Sequence, residues 1–157
     1  MYYINPSPSG QCPMNQCLTE ITADKFQSNT TLVFLQGDHH LNNVLYASNI
    51  STLAILSSTN ESVPVINCAA QQGNLKISYV SDVRIVGLKF RCGGNKIEAV
   101  NRFILENSSF YGQAGSPGTI LEIAATNAHI VDSFFMFGTV GNFHQQVDVL
   151  EYLKSFF

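Results

Sequence analysis

The sequence predicts an all-β solenoid, and three observations carry the prediction. Short runs rich in Val, Ile, Leu and Phe recur along the chain and are broken by Gly, Asn and Ser. One stretch, residues 81–90, returns as variants at 101–110 and 127–135. With Val83, Phe103 and Ala128 aligned, Ile85, Leu105 and Ile130 also align, and so do Phe90, Phe110 and Phe135. One position then holds Gly87, Asn107 and Asp132, three residue types that tolerate bends with positive φ. The agreement is therefore chemical as well as hydrophobic.

Leu53 and Ile55 fit the first two positions of an earlier copy, with Ser57 and Asn60 in place of the bend residue and the phenylalanine. The offsets are 30 (53 to 83), 20 (83 to 103) and 25 (103 to 128). Units of this length with several short strands each cannot bury their own apolar faces, so each needs a neighbour stacked upon it. Stacking in register would place the three phenylalanines in one file and Ile85, Leu105 and Ile130 in another. Short strands at close spacing also fit an antiparallel β-sandwich, the alternative fold.

The elements follow in order. Residues 1–17 read as an extended leader, because Pro6, Pro8 and Pro13 forbid regular helix or a central strand. Leu18, Ile21 and Phe26 lie on one helical face with Thr19 or Thr22 as cap, which predicts a short N-terminal capping helix. Residues 30–35 form a strand, broken at Gly37-Asp38. Weaker strand signal follows at 44–47, then a strand at 50–56, a loop at 57–62 and a strand at 63–68 interrupted by Pro64. Gly73-Asn74 marks a turn. Leu75, Ile77 and Tyr79 alternate with Lys76 and Ser78, the pattern of a half-buried strand. Unequal repeat lengths are expected where insertions go to surface loops such as 112–118. The repeat domain spans 18–142. In the tail, 143–157, Val147, Leu150, Leu153 and Phe157 share a helical face, which fits a capping helix or a truncated, non-domain tail.

Composition narrows the setting. Charged residues make up 12% of the chain, about half the usual share, while hydrophobic residues make up an ordinary 45%. The net charge of -3 offers no basic footprint, so nucleic acid is not an expected partner. No apolar run is long enough to span a membrane. The first residues lack the basic start and apolar segment of a signal peptide. Against that stand four Asn-x-Ser/Thr sequons, at Asn29, Asn49, Asn60 and Asn107, and an even number of cysteines. Together these point to an extracellular or cell-surface protein carrying glycans and disulfides.

The cysteines are Cys12, Cys17, Cys68 and Cys92, which allow three pairings. Cys12 and Cys17 would close a small loop. Cys68 and Cys92 lie 24 residues apart, near the repeat length, as adjacent layers require. This pairing is the favoured one. A structural zinc site lacks a second close Cys pair and a nearby histidine.

The leader Cys12-Pro13 to Cys17-Leu18-Thr19, the segment from Thr31 to His39 and the segment from Val83 to Phe90 occur in an order that resembles a known architecture. Over residues 10–142 the pattern resembles the right-handed parallel β-helix, or pectate-lyase-like, repeat. More narrowly, it is similar to the β-helix repeats of predicted extracellular proteins of simple invertebrates. The resemblance implies coil geometry and attaches no established activity. Enzymes of this architecture act on polysaccharides through carboxylates, a basic residue and often calcium. The Asn-Thr-Asp triplet, adjacent Asp pair and His-Gly of polygalacturonases are missing, as are the Arg-and-Asp clusters of pectate lyases.

The candidate carboxylates Asp82, Glu98, Glu106, Glu122 and Asp132 form no acidic file under the repeat alignment. His39 and His40 follow a glycine break and read as loop residues; as neighbours on any extended chain they would diverge. His129 falls at an outward position. No catalytic, cofactor-binding or metal-binding residues are therefore expected. Asn107 is drawn two ways: its sequon wants it exposed, while its bend position favours an inward side chain. The inward bend role is the expectation. The functional expectation is a non-enzymatic structural or recognition module of a larger surface protein, with glycans or other surface proteins as partners. The alternative is a fragment of a polysaccharide lyase or glycoside hydrolase.

Overall fold

The computed structural model describes residues 1–6, 17–18, 21–22, 25–41, 44–59, 62–68, 75–91, 94–112, 119–136 and 139–141. These form two sheets. The larger runs in the order β14 (Thr139–Gly141), β12 (Thr119–Val131), β10 (Asn95–Glu106), β8 (Leu75–Val86), β6 (Thr52–Ser57), β3 (Asn29–Phe34), β1 (Tyr2–Ile4) and β2 (Cys17–Leu18), with β5 (Leu45–Ser48) also paired to β8. The smaller runs β13 (Phe134–Met136), β11 (Ser109–Tyr111), β9 (Lys89–Arg91), β7 (Val65–Cys68) and β4 (Asp38–Leu41). From β6 to β14 the chain visits the two sheets alternately.

Every pairing among the described residues is parallel. The antiparallel sandwich is thereby overturned. The reason is local: from β6 onward each strand hands over at a bend to the other sheet rather than folding back on itself in a hairpin, so it pairs with the equivalent strand of the next layer.

The register matches the internal alignment. Phe103 pairs with Val83 and Ala128, and Leu105 with Ile85 and Ile130. Leu53 and Ile55 pair with Val83 and Ile85. Gly87, Asn107 and Asp132 have φ of 72°, 46° and 46°. Gly87 meets a second demand: a Cβ there would stand 3.0 Å from the Cβ of Ser57.

The core lies between the sheets. Leu32, Ile55, Ile85 and Leu105 form one fully buried file, and Ile130 extends it. Each such side chain contributes about 1.5–3 kcal/mol through burial. The phenylalanines form the second file. Phe90 and Phe110 stack at 4.5 Å between centroids and 11° between planes, Phe110 and Phe135 at 5.9 Å and 15°. Such pairs add about 0.5–1.5 kcal/mol each beyond burial.

Several expectations are corrected. Among the described residues of 18–26 there is no α-helix. Leu18 is in β2 paired with Ile4, and the only turn described there is the bond from Lys25 N–H to Thr22 O, 3.0 Å. Leu18, Ile21 and Phe26 do pack against the core, so their apolar spacing serves docking rather than helix. The leader is likewise not merely extended, since Tyr2–Ile4 lies within the larger sheet between β3 and β2. The phenylalanine position of the early copy is filled by Ile66, paired with Phe90, and not by Asn60. The chain between β6 and β7 is longer than the corresponding bends, which displaced the alignment. The tail 143–157 lies outside the described residues.

Tyr79 was expected on the buried face and is instead exposed, with φ of 56°. Here β8 bulges by one residue against β10, since Ser78 faces Glu98 while Val80 faces Ala99, and β10 bulges by one in turn before Arg102 faces Asp82. Tyr79 is the extra residue. Looping it out leaves Val80 fully buried in its place.

His39 and His40 are not loop residues. They lie in β4, opposite Ile66 and Asn67. They do diverge: His40 is exposed, while His39 is buried, edge-on to Phe34 at 4.9 Å, with Nε2 donating to Leu35 O at 2.7 Å. Burial holds the His39 imidazole below the ordinary histidine value, against the opposing pull of the Leu35 carbonyl and of Asp38.

Two outcomes follow. Replacing Phe110, which has a stacked ring on each side, with alanine is expected to cost about 3–5 kcal/mol in urea unfolding. The folded state favours neutral His39, so the associated stability is fully present above the ordinary value of about pH 6.5 and is lost as pH falls below it. Urea midpoints measured between pH 7.5 and 5 should show this decline, and the His39→Leu variant should lack that part of it.

Candidate functional site

The bends that pass the chain from one sheet to the other also shape a concavity among the described residues. At each bend a residue with positive φ is followed by a buried residue, Leu88, Ser108 or Ser133, and then by an outward one, Lys89, Ser109 or Phe134. The bends are tied layer to layer. Gly87 N–H donates to Glu106 O at 3.0 Å and Asn107 N–H to Val131 O at 3.1 Å. Ser109 N–H donates to Leu88 O and Phe134 N–H to Ser108 O.

The buried serines complete this arrangement. Ser133 Oγ donates to Val131 O at 2.9 Å and accepts from Ser108 N–H at 3.3 Å. Ser108 Oγ repeats the pattern with Glu106 O at 2.9 Å and Leu88 N–H at 3.2 Å. Each hydroxyl adds a second donor to a carbonyl of its own bend and supplies the acceptor for an N–H of the preceding layer. Asn95, also buried, does the same elsewhere: its Oδ1 accepts from Leu75 N–H and its Nδ2 donates to Ile120 O, joining three layers.

The groove beside the bends is lined by Thr59, Val63, Gly87, Asn107, Ser108, Ser109, Asp132 and Phe134, and encloses about 470 Å³. It crosses four successive layers. Its lining offers hydroxyl and amide groups, one aromatic ring and one carboxylate, that of Asp132. Just outside, Tyr111 leans on Phe134 at 6.0 Å and Lys89 Nζ stands 4.6 Å above the Tyr111 ring. Hydrolysis by a carboxylate pair requires two such groups about 5–9.5 Å apart. Among the described lining residues Asp132 is the one carboxylic acid. The geometry is suited to hydrogen-bonding a polyhydroxylated ligand while an aromatic ring covers its apolar face.

Apart from Asp132, the acids and bases singled out in the sequence lie elsewhere, mainly on the outer face of the larger sheet. Asp82 pairs with Arg102 at 3.2 Å, Glu106 with Arg84 at 2.8 Å, and Lys96 reaches Glu98 at 2.8 Å and Glu122 at 3.9 Å. The Glu98 hydrogen bond holds Lys96 above its ordinary value and Glu98 below. His129 is exposed on the same sheet. Among the described residues no three of His, Cys, Asp and Glu gather as metal ligands would. No described helix is long and apolar enough to cross a membrane.

Three of the four sequon asparagines are described. Asn29, Asn49 and Asn107 are exposed; Asn60 lies outside the described residues. Asn107 combines the two roles that had looked exclusive. Its backbone takes the bend, at φ 46°, and its side chain is outward in the groove. The inward expectation is corrected, because the residue after the bend turns inward instead. Cys17 is in a disulfide. Cys12 and Cys92 lie outside the described residues, and Cys68 ends β7 one position after the Asn67–Arg91 pair.

Sequence reasoning missed Ser108, Ser133, Ser109 and Phe134. The signal was available for the first two: both follow a bend residue at the same repeat position. The chain matches no family model, no curated protein and no solved structure.

Ser133→Ala leaves the buried Ser108 N–H without its acceptor. The expected loss is about 1–3 kcal/mol in chemical unfolding, against near-neutrality for Ser109→Ala on the outer face.

Proposed function

We propose that this chain is a right-handed parallel β-helix module of the pectate-lyase-like kind. On this reading it is an extracellular, non-enzymatic domain that recognises glycans. Support for the architecture comes from the parallel layers, the alternation between two sheets and the repeated bends. Support for the compartment comes from the Cys17 disulfide and from the exposed sequon asparagines Asn29, Asn49 and Asn107.

The observation that carries the recognition reading is the groove itself. It runs across layers, so it suits an extended polymer rather than a compact metabolite. Its lining is uncharged except at Asp132, and Phe134 provides a ring at its wall. That combination favours neutral sugars, whose hydroxyls need polar partners and whose ring hydrogens pack on aromatic faces.

Glycan-array binding by the secreted domain, run beside a lyase and hydrolase screen, tests the reading. Binding to neutral oligosaccharides without turnover is expected. Phe134→Ala should weaken that binding about tenfold, equivalent to about 1.4 kcal/mol, with little change in unfolding midpoint. Turnover of any polysaccharide would instead establish the polysaccharide-acting enzyme.

A further inference from the structure

We infer that the groove is the seat of a glycan attached to its own wall, so that N-glycosylation at Asn107 closes it to other carbohydrate. The inference rests on the extracellular, sugar-binding reading of the groove and adds its regulation. Of the described sequon asparagines, Asn107 is the one that lines the concavity. Asn29 is engaged across layers with the Thr52 hydroxyl, and Asn49, although also exposed and at positive φ, lies away from the groove.

Asn107 is built to present its side chain there. Its N–H is held by Val131 O and its φ of 46° turns the chain, so the backbone is fixed on the groove side. Its side-chain amide has no hydrogen-bond partner among the described residues, which leaves Nδ2 open as an attachment atom. Attachment transfers an oligosaccharide from a lipid-linked diphosphate donor. The Nδ2–C1 bond forms, the bond from C1 to the diphosphate oxygen breaks, the lipid diphosphate leaves, and Nδ2 gives up one proton. The first sugar then starts at the groove wall, with Ser109, Asp132 and Phe134 as neighbours.

The volume of about 470 Å³ lies within the range of small-ligand sites, so it accommodates the innermost sugars. Tethering supplies the rest. A ligand on a short flexible link sees its site at an effective concentration in the mM range, so even a sub-mM affinity keeps the groove occupied.

The test uses the full chain secreted from a glycosylating eukaryotic cell. Peptide mapping first reports occupancy of Asn107. Release of each glycan by a peptide N-glycosidase is then timed on native and on denatured protein. The Asn107 glycan is expected to leave native protein about tenfold more slowly than the Asn29 glycan, the ratio that mM effective concentration and sub-mM affinity imply. Denaturation should equalise the two rates, and Phe134→Ala should restore fast release from native protein. An unoccupied Asn107, or equal rates on native protein, overturns the inference. Protein secreted while synthesis of the lipid-linked donor is blocked separates this from failure of the broader reading. If that unglycosylated form binds oligosaccharides while the Asn107 glycan shows no protection, recognition stands and self-occupancy falls. If the glycan is protected yet the unglycosylated form binds nothing, self-occupancy stands and recognition of free glycans falls.

Discussion

The parallel hydrogen bonds from β8 to β10 and from β10 to β12 set equivalent positions of successive layers one above another. Everything else depends on that superposition. A layer of this chain is a strand, a bend and a second strand, too thin to enclose a core. Its inward side chains become buried only when the next layer brings the same kinds of side chain to the same places. The phenylalanine file and the aliphatic file are consequences of register, and a slip of one residue would turn both outward.

Register also explains where polar groups are tolerated inside. A bend breaks the regular ladder and leaves N–H groups that a side chain must serve. Ser108 and Ser133 sit where those groups occur, and each bonds one carbonyl within its bend and one N–H of the adjacent layer. At the Gly87 bend the corresponding residue is Leu88, whose N–H is the one that Ser108 serves. The polar file is therefore staggered by one layer, an arrangement that only neighbouring layers can produce.

The groove is a by-product of the same geometry. Bends that superpose make a continuous angle between two sheets, and the first outward residue of the smaller sheet forms one wall. Whatever side chains occupy the bend and outward positions decide its chemistry. Here they are Gly87, Asn107, Asp132, Ser109 and Phe134. The candidate carboxylates Asp82 and Glu106 pair with Arg102 and Arg84 on the flat face instead. Such exposed pairs contribute at most about 1 kcal/mol each, and they solvate the sheet rather than shape a site.

Local composition and repetition were enough to determine many of the strands, though not Tyr2–Ile4, Cys17–Leu18 or Asp38–Leu41, together with the repeat register from residue 83 onward and the positive-φ bends at Gly87, Asn107 and Asp132. Those properties rest on alternation, side-chain size and the tolerance of Gly, Asn and Asp for a left-handed backbone, all of which are written along the chain. Only the tertiary structure decided the rest. Leu18, Ile21 and Phe26 have helical spacing but pack against the core, because docking onto existing core outweighs a short helix's weak propensity. Tyr79 continues an alternation on paper, yet a one-residue mismatch with the next layer expels it. Ile66 rather than Asn60 takes the ring position, since insertion length is invisible until the layers pair. The groove belongs to this second group. Its residues come from separate layers, and stacking alone makes them neighbours.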